Sequence, residues 1–200
     1  MTVLSRADRQ AQTRGQLLAT ARVLFLRDGY FATSLERVAD EAGYSKGAVY
    51  SNFSSKDELC LAVLDEIRGE QAARLIAAIS AGATFEQRLL CFEAWAETAI
   101  GHEGWSNLEI EFGSQLRRNP GLREQYQARG NVIRAALTHL IEAAADDLGT
   151  GLLLPADELA TALLSLGVGL GLQRAVDHDV PVRTLTDVVR ALSGVAVPVR

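Results

Sequence analysis

Ser45, Lys46, Gly47, Ala48, Tyr50 and Asn52 put hydroxyls, an ammonium, an amide and two almost bare backbone positions within eight residues. That set suits gripping a polyanion at close range and does not suit breaking a bond. Lys46 can donate to guanine O6 and N7 or to a phosphate, and Ala48 is small enough to meet a thymine methyl. The Tyr50 hydroxyl and the Asn52 amide are phosphate donors. Gly47 lets a backbone approach a ligand closely, an advantage set against the roughly 0.8–1 kcal/mol that glycine costs inside a helix. Lys56, beside a helix start capped by Ser55, and the pair Thr33 and Ser34, at the start of an earlier helix, suit an anion at a helix N-terminus. Tyr44 lies at the turn between the two helices and can touch a backbone. Arg6 and Arg9 can reach phosphates or a minor groove, or belong to a disordered arm. Each residue also has a plainer reading, as a helix-start glycine, a solvated lysine or a packed ring.

Local signals show how these groups are positioned. Thr33 with Glu36 three residues on forms a capping box, and Leu35, Val38, Ala39 and Ala42 then make one buried stripe. Gly43 ends that helix as a left-handed residue. Ser45 caps a second, very short helix, and Ser55 with Glu58 opens a third. Val49 and Phe53 are the core positions that hold the short helix in place. Two short helices about a glycine turn make a helix-turn-helix.

Gly29-Tyr30, Thr33-Ser34, Ala39, Ala42-Gly43, Ser45, Gly47, Tyr50, Phe53, Ser55-Lys56 and Leu59 together resemble the N-terminal signature of TetR-type transcriptional regulators. The resemblance covers the first quarter of the chain; the rest resembles the family in length and helical character. Asn52 departs from it, since many relatives carry His there, but Asn can also donate to a phosphate. The resemblance implies a homodimeric one-component repressor in the cytoplasm. Its recognition helices would enter successive major grooves of a palindromic operator, and a small-molecule effector would release it. Residues 1–55 would bind DNA, and 56–200 would bind effector and dimerise.

Composition fits this division. The chain has 200 residues, 48% apolar and 22% charged, with a net charge of −5. Residues 1–56 hold eight basic against five acidic residues, a balance of +3, and the remainder holds twelve against twenty, −8. The only two lysines, Lys46 and Lys56, both lie in the DNA-facing segment. A basic reading head on an acidic body is the expected charge footprint. Cys60 and Cys91 form no metal or disulfide pattern, and neither thiol has an activating neighbour in sequence. The start of the chain is polar and basic, unlike a secretory leader. The longest apolar stretch, residues 159–172, is interrupted by Thr161 and Ser165 and falls short of the roughly 20 residues a membrane span needs.

Helical periodicity continues through the chain, and no segment alternates like a strand. An all-α protein of about nine helices is predicted: a first helix to about Asp28 with Leu18, Ala21 and Phe25 inward, the helix-turn-helix, then helices near 55–81, 84–100, 105–118, 122–148, 157–176 and 184–192. There is no catalytic constellation. His102, His139 and His178 lack metal-ligand spacing, and neither a metal nor a cofactor is expected.

By resemblance, Phe92, Trp95, Trp105, Leu108, Phe112, Leu137 and Leu170 line an effector pocket, with His102 and Gln115 as polar anchors. Any one of these aromatics is as well explained as core. Glu93, Glu97, Glu103, Glu109 and Glu111 crowd the same region, which fits a cationic effector or a solvated acidic face. The resemblance also puts the two-fold seam on the last two helices, with Leu163, Leu166, Leu170, Val188, Leu192 and Val195 in a four-helix bundle. Gly167, Gly169 and Gly171 together cost a helix roughly 2–3 kcal/mol, which close approach at that seam or room for a ligand would offset. Two other readings remain: a DNA-binding architectural or developmental factor without a ligand, and a helical enzyme with a vestigial helix-turn-helix.

Overall fold

The computed structural model describes residues 5–149 and 151–193, with Glu103 described by its backbone alone. Among these residues the protein is all-α, with nine helices: α1 (Arg6–Ala32), α2 (Leu35–Ala42), α3 (Lys46–Tyr50), α4 (Lys56–Ser80), α5 (Phe85–Ala99), α6 (Glu103–Leu116), α7 (Pro120–Leu148), α8 (Ala156–Arg174) and α9 (Arg183–Leu192). No described helix is long and apolar enough to cross a membrane.

The helices start where short polar side chains catch free backbone N–H groups. Ser5 and Asp8 form a reciprocal capping box on α1. Thr84 accepts from the Gln87 amide at the start of α5, and Asn119 from the Leu122 amide at the start of α7, where Pro120 needs no N–H. Two starts differ from the sequence reading. Ser34, not Thr33, caps α2, accepting from the Arg37 amide at 3.1 Å. At α4, Ser55 accepts from the Glu58 amide at 3.1 Å as expected, but the Glu58 carboxylate reaches back past Ser55 to the amide and hydroxyl of Ser54.

The chain divides into two compact units, residues 1–70 with 107–123 and residues 71–106 with 124–200. In the first, α1, α2, α3 and the start of α4 enclose Leu17, Ala21, Phe25, Val38, Val49, Phe53, Leu59 and Val63, all essentially inaccessible. The inward residue of α1 is Leu17 and not Leu18, which is half-buried. Leu108 and Phe112 of α6 are equally buried in this unit.

Gly29 does not end α1 but kinks it. Its φ of +84° lies where a side chain is strained, and the helical turn resumes at Tyr30. The Glu111 carboxylate of α6 fills the kink, accepting from the Tyr30 amide at 2.6 Å and the Phe31 amide at 3.2 Å. A Cβ on Gly29 would lie 2.8 Å from both Glu111 oxygens.

In the second unit α9 packs on α5 through polar contacts. Arg190, 2% exposed, meets Glu86 and Asp187, and the buried Thr186 hydroxyl donates to Glu93 at 2.8 Å. Arg174 at the end of α8 donates to the carbonyls of Ile100 and Val180 and to the Glu97 carboxylate. It crowds Gly101, where φ is +85° and a Cβ would come within 2.3 Å of the Arg174 Cβ.

Gly29→Ala is expected to combine backbone strain with displacement of Glu111 and to destabilise the protein by about 1–3 kcal/mol. Urea denaturation reads this; an unchanged midpoint would mean that the kink carries no strain and Glu111 yields freely.

Candidate nucleic-acid interface

The interface is built on α3, a helix of five residues. So short a helix has no stability of its own and depends on its cap and its packing. Ser45 accepts from the Ala48 amide at 3.2 Å, while Val49 and the following Phe53 are buried. The preceding Gly43 has φ +73°, and its amide closes α2 on the Ala39 and Asp40 carbonyls. Arg14 of α1 holds the far end, donating to the Asn52 carbonyl at 2.5 Å with its guanidinium 4.0 Å from the Phe53 ring centre. Tyr44, half-buried, donates its hydroxyl to Gln16 of α1. Arg14 and Gln16 were not singled out from sequence. They lie 38 and 28 residues from their partners, so no local spacing marks the contacts.

The outer side of this framework is polar and open. Ser34, Ser45, Lys46, Gly47 and Tyr50 are exposed and Ala48 is half-exposed. The Lys46 ammonium lies 3.9 Å from Glu36, and the Tyr50 hydroxyl donates to the same carboxylate at 3.5 Å. Glu36 also receives its own backbone N–H, the first cause holding its carboxyl below the usual range, with Lys46 contributing. A phosphate approaching Lys46 and Tyr50 therefore meets groups lightly engaged by one exposed carboxylate. Sequence reading had given Glu36 only a capping role.

Three residues expected on the DNA-facing side are engaged inward instead. Thr33 is 1% exposed and its hydroxyl donates to the Gly29 carbonyl. Asn52 donates its amide to the Ala48 carbonyl at 2.8 Å. Lys56 donates to the carbonyls of Tyr30 and Thr33, each at 2.9 Å, with its ammonium 4.1 Å from the Tyr30 ring centre. Burial pushes its pKa down. Lys56 thus fastens α4 to the α1–α2 junction.

The residues expected to line an effector pocket divide between the units. Leu108, Phe112 and Gln115 fall in the first, where Leu108 and Phe112 are core and the Phe112 ring packs edge-on against Tyr30. Phe92, Trp95, His102, Trp105, Leu137 and Leu170 fall in the second. There Phe92 and Trp95 are in ring contact at 5.6 Å, and the Trp95 Nε1 is buried with no acceptor among the described residues. Leu170 is buried, Leu137 and Trp105 half-buried, and exposed His102 lines a cavity of about 340 Å³ with Glu97, Thr98, Ile100, Arg174 and His178. Of the acidic crowd, four members have partners, although Glu97 stays exposed. Glu93 and Glu97 are bound to Thr186 and Arg174, Glu109 to Arg68 and Glu111 to the Gly29 kink. Cys60 is fully buried and its thiol is pushed well above its ordinary range, first by burial, which disfavours the reactive thiolate.

Of the expected seam, Leu163, Leu166, Val188 and Leu192 are half-buried within one protomer, Leu170 is buried, and Val195 lies outside the described residues. Val168 and Leu172 on α8, and Val176 just past its end, are exposed apolar residues.

Comparison with known proteins bears on the same segment. Residues 17–63 match the family model for bacterial regulatory proteins of the tetR family. The transcriptional activator FasR of Mycolicibacterium smegmatis is 51% identical over 53 residues, 26% of this chain and 24% of FasR. The transcriptional repressor AcnR of Corynebacterium efficiens is 26% identical over 130 residues, 65% of this chain and 64% of AcnR. The matched segments thus span less than two thirds of either relative. A protein from Saccharomonospora viridis crystallised in complex with choline shares the fold, with a TM-score of 0.71 at 23% identity over 90% of this chain and 96% of that one.

Lys56→Met should remove two hydrogen bonds to backbone carbonyls and lower stability by about 1.5–3 kcal/mol, read by urea denaturation. Unchanged stability with a salt dependence of DNA binding shallower by about one phosphate contact would make Lys56 a DNA residue instead. The α2–α3 unit that Lys56 braces lies within residues 17–63, the segment that matches the family model for bacterial regulatory proteins of the tetR family.

Proposed function

We propose that the protein is a cytoplasmic, homodimeric one-component transcriptional repressor, with no enzymatic activity, whose two α3 helices read a palindromic operator and are released by a small molecule. The observation that carries this reading is the short capped helix α3, fixed from below by Val49, Phe53 and Arg14 and presenting Ser45, Lys46, Gly47 and Tyr50 outward. A rigid element with hydrogen-bonding groups on its open side is what major-groove readout requires. Residues 1–55 supply the DNA contacts. Ser34, Tyr44, Ser45, Lys46, Gly47, Ala48 and Tyr50 face the duplex, while Thr33, Asn52 and Lys56 hold the frame.

The second unit supports the two remaining parts. Gly167 and Gly169 have open space beside them, and Val168 is 73% exposed on the same helix, a surface shaped for a partner α8. Trp95, with a buried N–H lacking an acceptor, favours an effector with an apolar body and a hydrogen-bond acceptor. The choline complex of the structural relative is consistent with small-molecule binding in this fold.

Selection from a random DNA pool should return an inverted repeat. Lys46→Ala should cost about 1–3 kcal/mol and relax preference at one position per half-site. A loss equal across all operator variants would make Lys46 a phosphate contact only. Val168→Glu, at a position open in the protomer, should leave the melting temperature of the helix-turn-helix unit unchanged while producing monomers in sedimentation. An intact dimer would put the seam elsewhere.

A further inference from the structure

The first unit holds twelve arginines and lysines, and seven are spent within it, among them Arg22 on Glu70, Arg37 on Asp28 and Arg68 on Glu109. The five without a partner among the described residues are Arg6 and Arg9 at the start of α1, and Arg117, Arg118 and Arg123 at the α6–α7 turn. The three arginines of the turn are exposed. The two carboxylates on the same stretch, Glu109 and Glu111, are bound to Arg68 and to the Gly29 kink, so neither neutralises them. The turn therefore carries three arginines against one exposed carboxylate, Glu124 beside Arg123, on a chain whose net charge is −5.

Its position within the unit is fixed by Glu111, which holds the amides of Tyr30 and Phe31, and by Phe112 against the Tyr30 ring. Ser34, the exposed cap of α2, follows Tyr30 by four residues. Arg117 and Arg118 follow Glu111 by six and seven, about 10 Å along a helix axis. The turn contains no aromatic residue on which an unpaired base could stack. Its leucines, Leu116 and Leu122, are half-buried and buried, leaving no apolar anchor for a lipid surface. Exposed guanidinium groups alone suit the phosphates of a duplex.

We propose that the α6–α7 turn is a second contact with the DNA backbone, outside the helix-turn-helix, in which Arg117, Arg118 and Arg123 bind phosphates flanking the operator. The proposal rests on the DNA-binding reading above and adds affinity without sequence preference. Its test uses the full-length protein and a labelled random-sequence duplex, titrated at several salt concentrations. The triple variant Arg117→Gln, Arg118→Gln, Arg123→Gln should reduce the slope of log K against log salt by about 2–3, roughly 0.9 per phosphate contact, and each single variant by about one. A control with equal charge loss in the second unit, Arg74→Gln, Arg134→Gln, Arg183→Gln, should keep the parent slope. Equal effects of the two triple variants would reduce the turn to a general charge effect and overturn the proposal. If Lys46→Ala weakens operator binding while the turn variant matches the parent, the turn proposal alone fails. If the parent binds no duplex at any salt, the DNA-binding reading fails with it.

Discussion

Tyr30 is the point on which the first unit depends. Its amide is held by Glu111, its carbonyl by Lys56 and its hydroxyl by Asp57, while its ring packs on Phe25, Phe31 and Phe112. Every polar atom of a buried residue is thus matched, as burial demands. The partners come from α4 and α6 as well as from α1. The Gly29 kink makes this possible, because a straight helix would have used the Tyr30 amide internally. One left-handed glycine thereby turns the end of α1 into a joint where three helices meet, just before α2 begins.

That joint explains which parts of the interface were legible in sequence. The cap of α3, the glycine turn and the buried stripe of α2 depend on neighbours within four residues, so spacing alone reveals them. Thr33 and Ser34 are adjacent and chemically alike, and spacing could not decide which one caps. The kink decides it, since Thr33 turns its hydroxyl back to the Gly29 carbonyl and leaves the cap to Ser34. Lys56 looked like a phosphate ligand because a lysine at a helix start usually is solvated. Its two acceptors, the carbonyls of Tyr30 and Thr33, lie more than twenty residues away.

In the second unit the acidic residues of α5 misled for the same reason. Glu93 and Glu97 read as part of an acidic crowd suited to a cation or to solvent, yet each receives a donor from α9 or α8, as does Glu86. Arg174 and Arg190, buried and paired, hold those helices to α5 by groups whose partners are some eighty to a hundred residues distant in the chain. Removing one member of such a pair leaves an uncompensated buried charge, so these contacts fix register more than they add stability.

Apolar residues pose the opposite problem. Hydrophobic periodicity identifies a side of a helix that avoids water but does not say what covers it. On α7 only Leu122 is buried within the described protomer, and Val132 and Leu140 remain exposed. On α8, Leu159 and Leu170 face the core, whereas Val168 and Leu172 do not. An ordinary solvated helix would place charges there, and α8 carries none between Glu158 and Arg174. A helix apolar on nearly every side is a buried helix, and the described residues of one protomer do not bury this one. In the proposed dimer a second α8 would supply the cover and divide the residues called core from sequence into two classes, one serving the fold of each protomer and one serving assembly. Gly167 and Gly169, open within the protomer, belong with the second class, where the absence of a side chain lets two helix backbones come close.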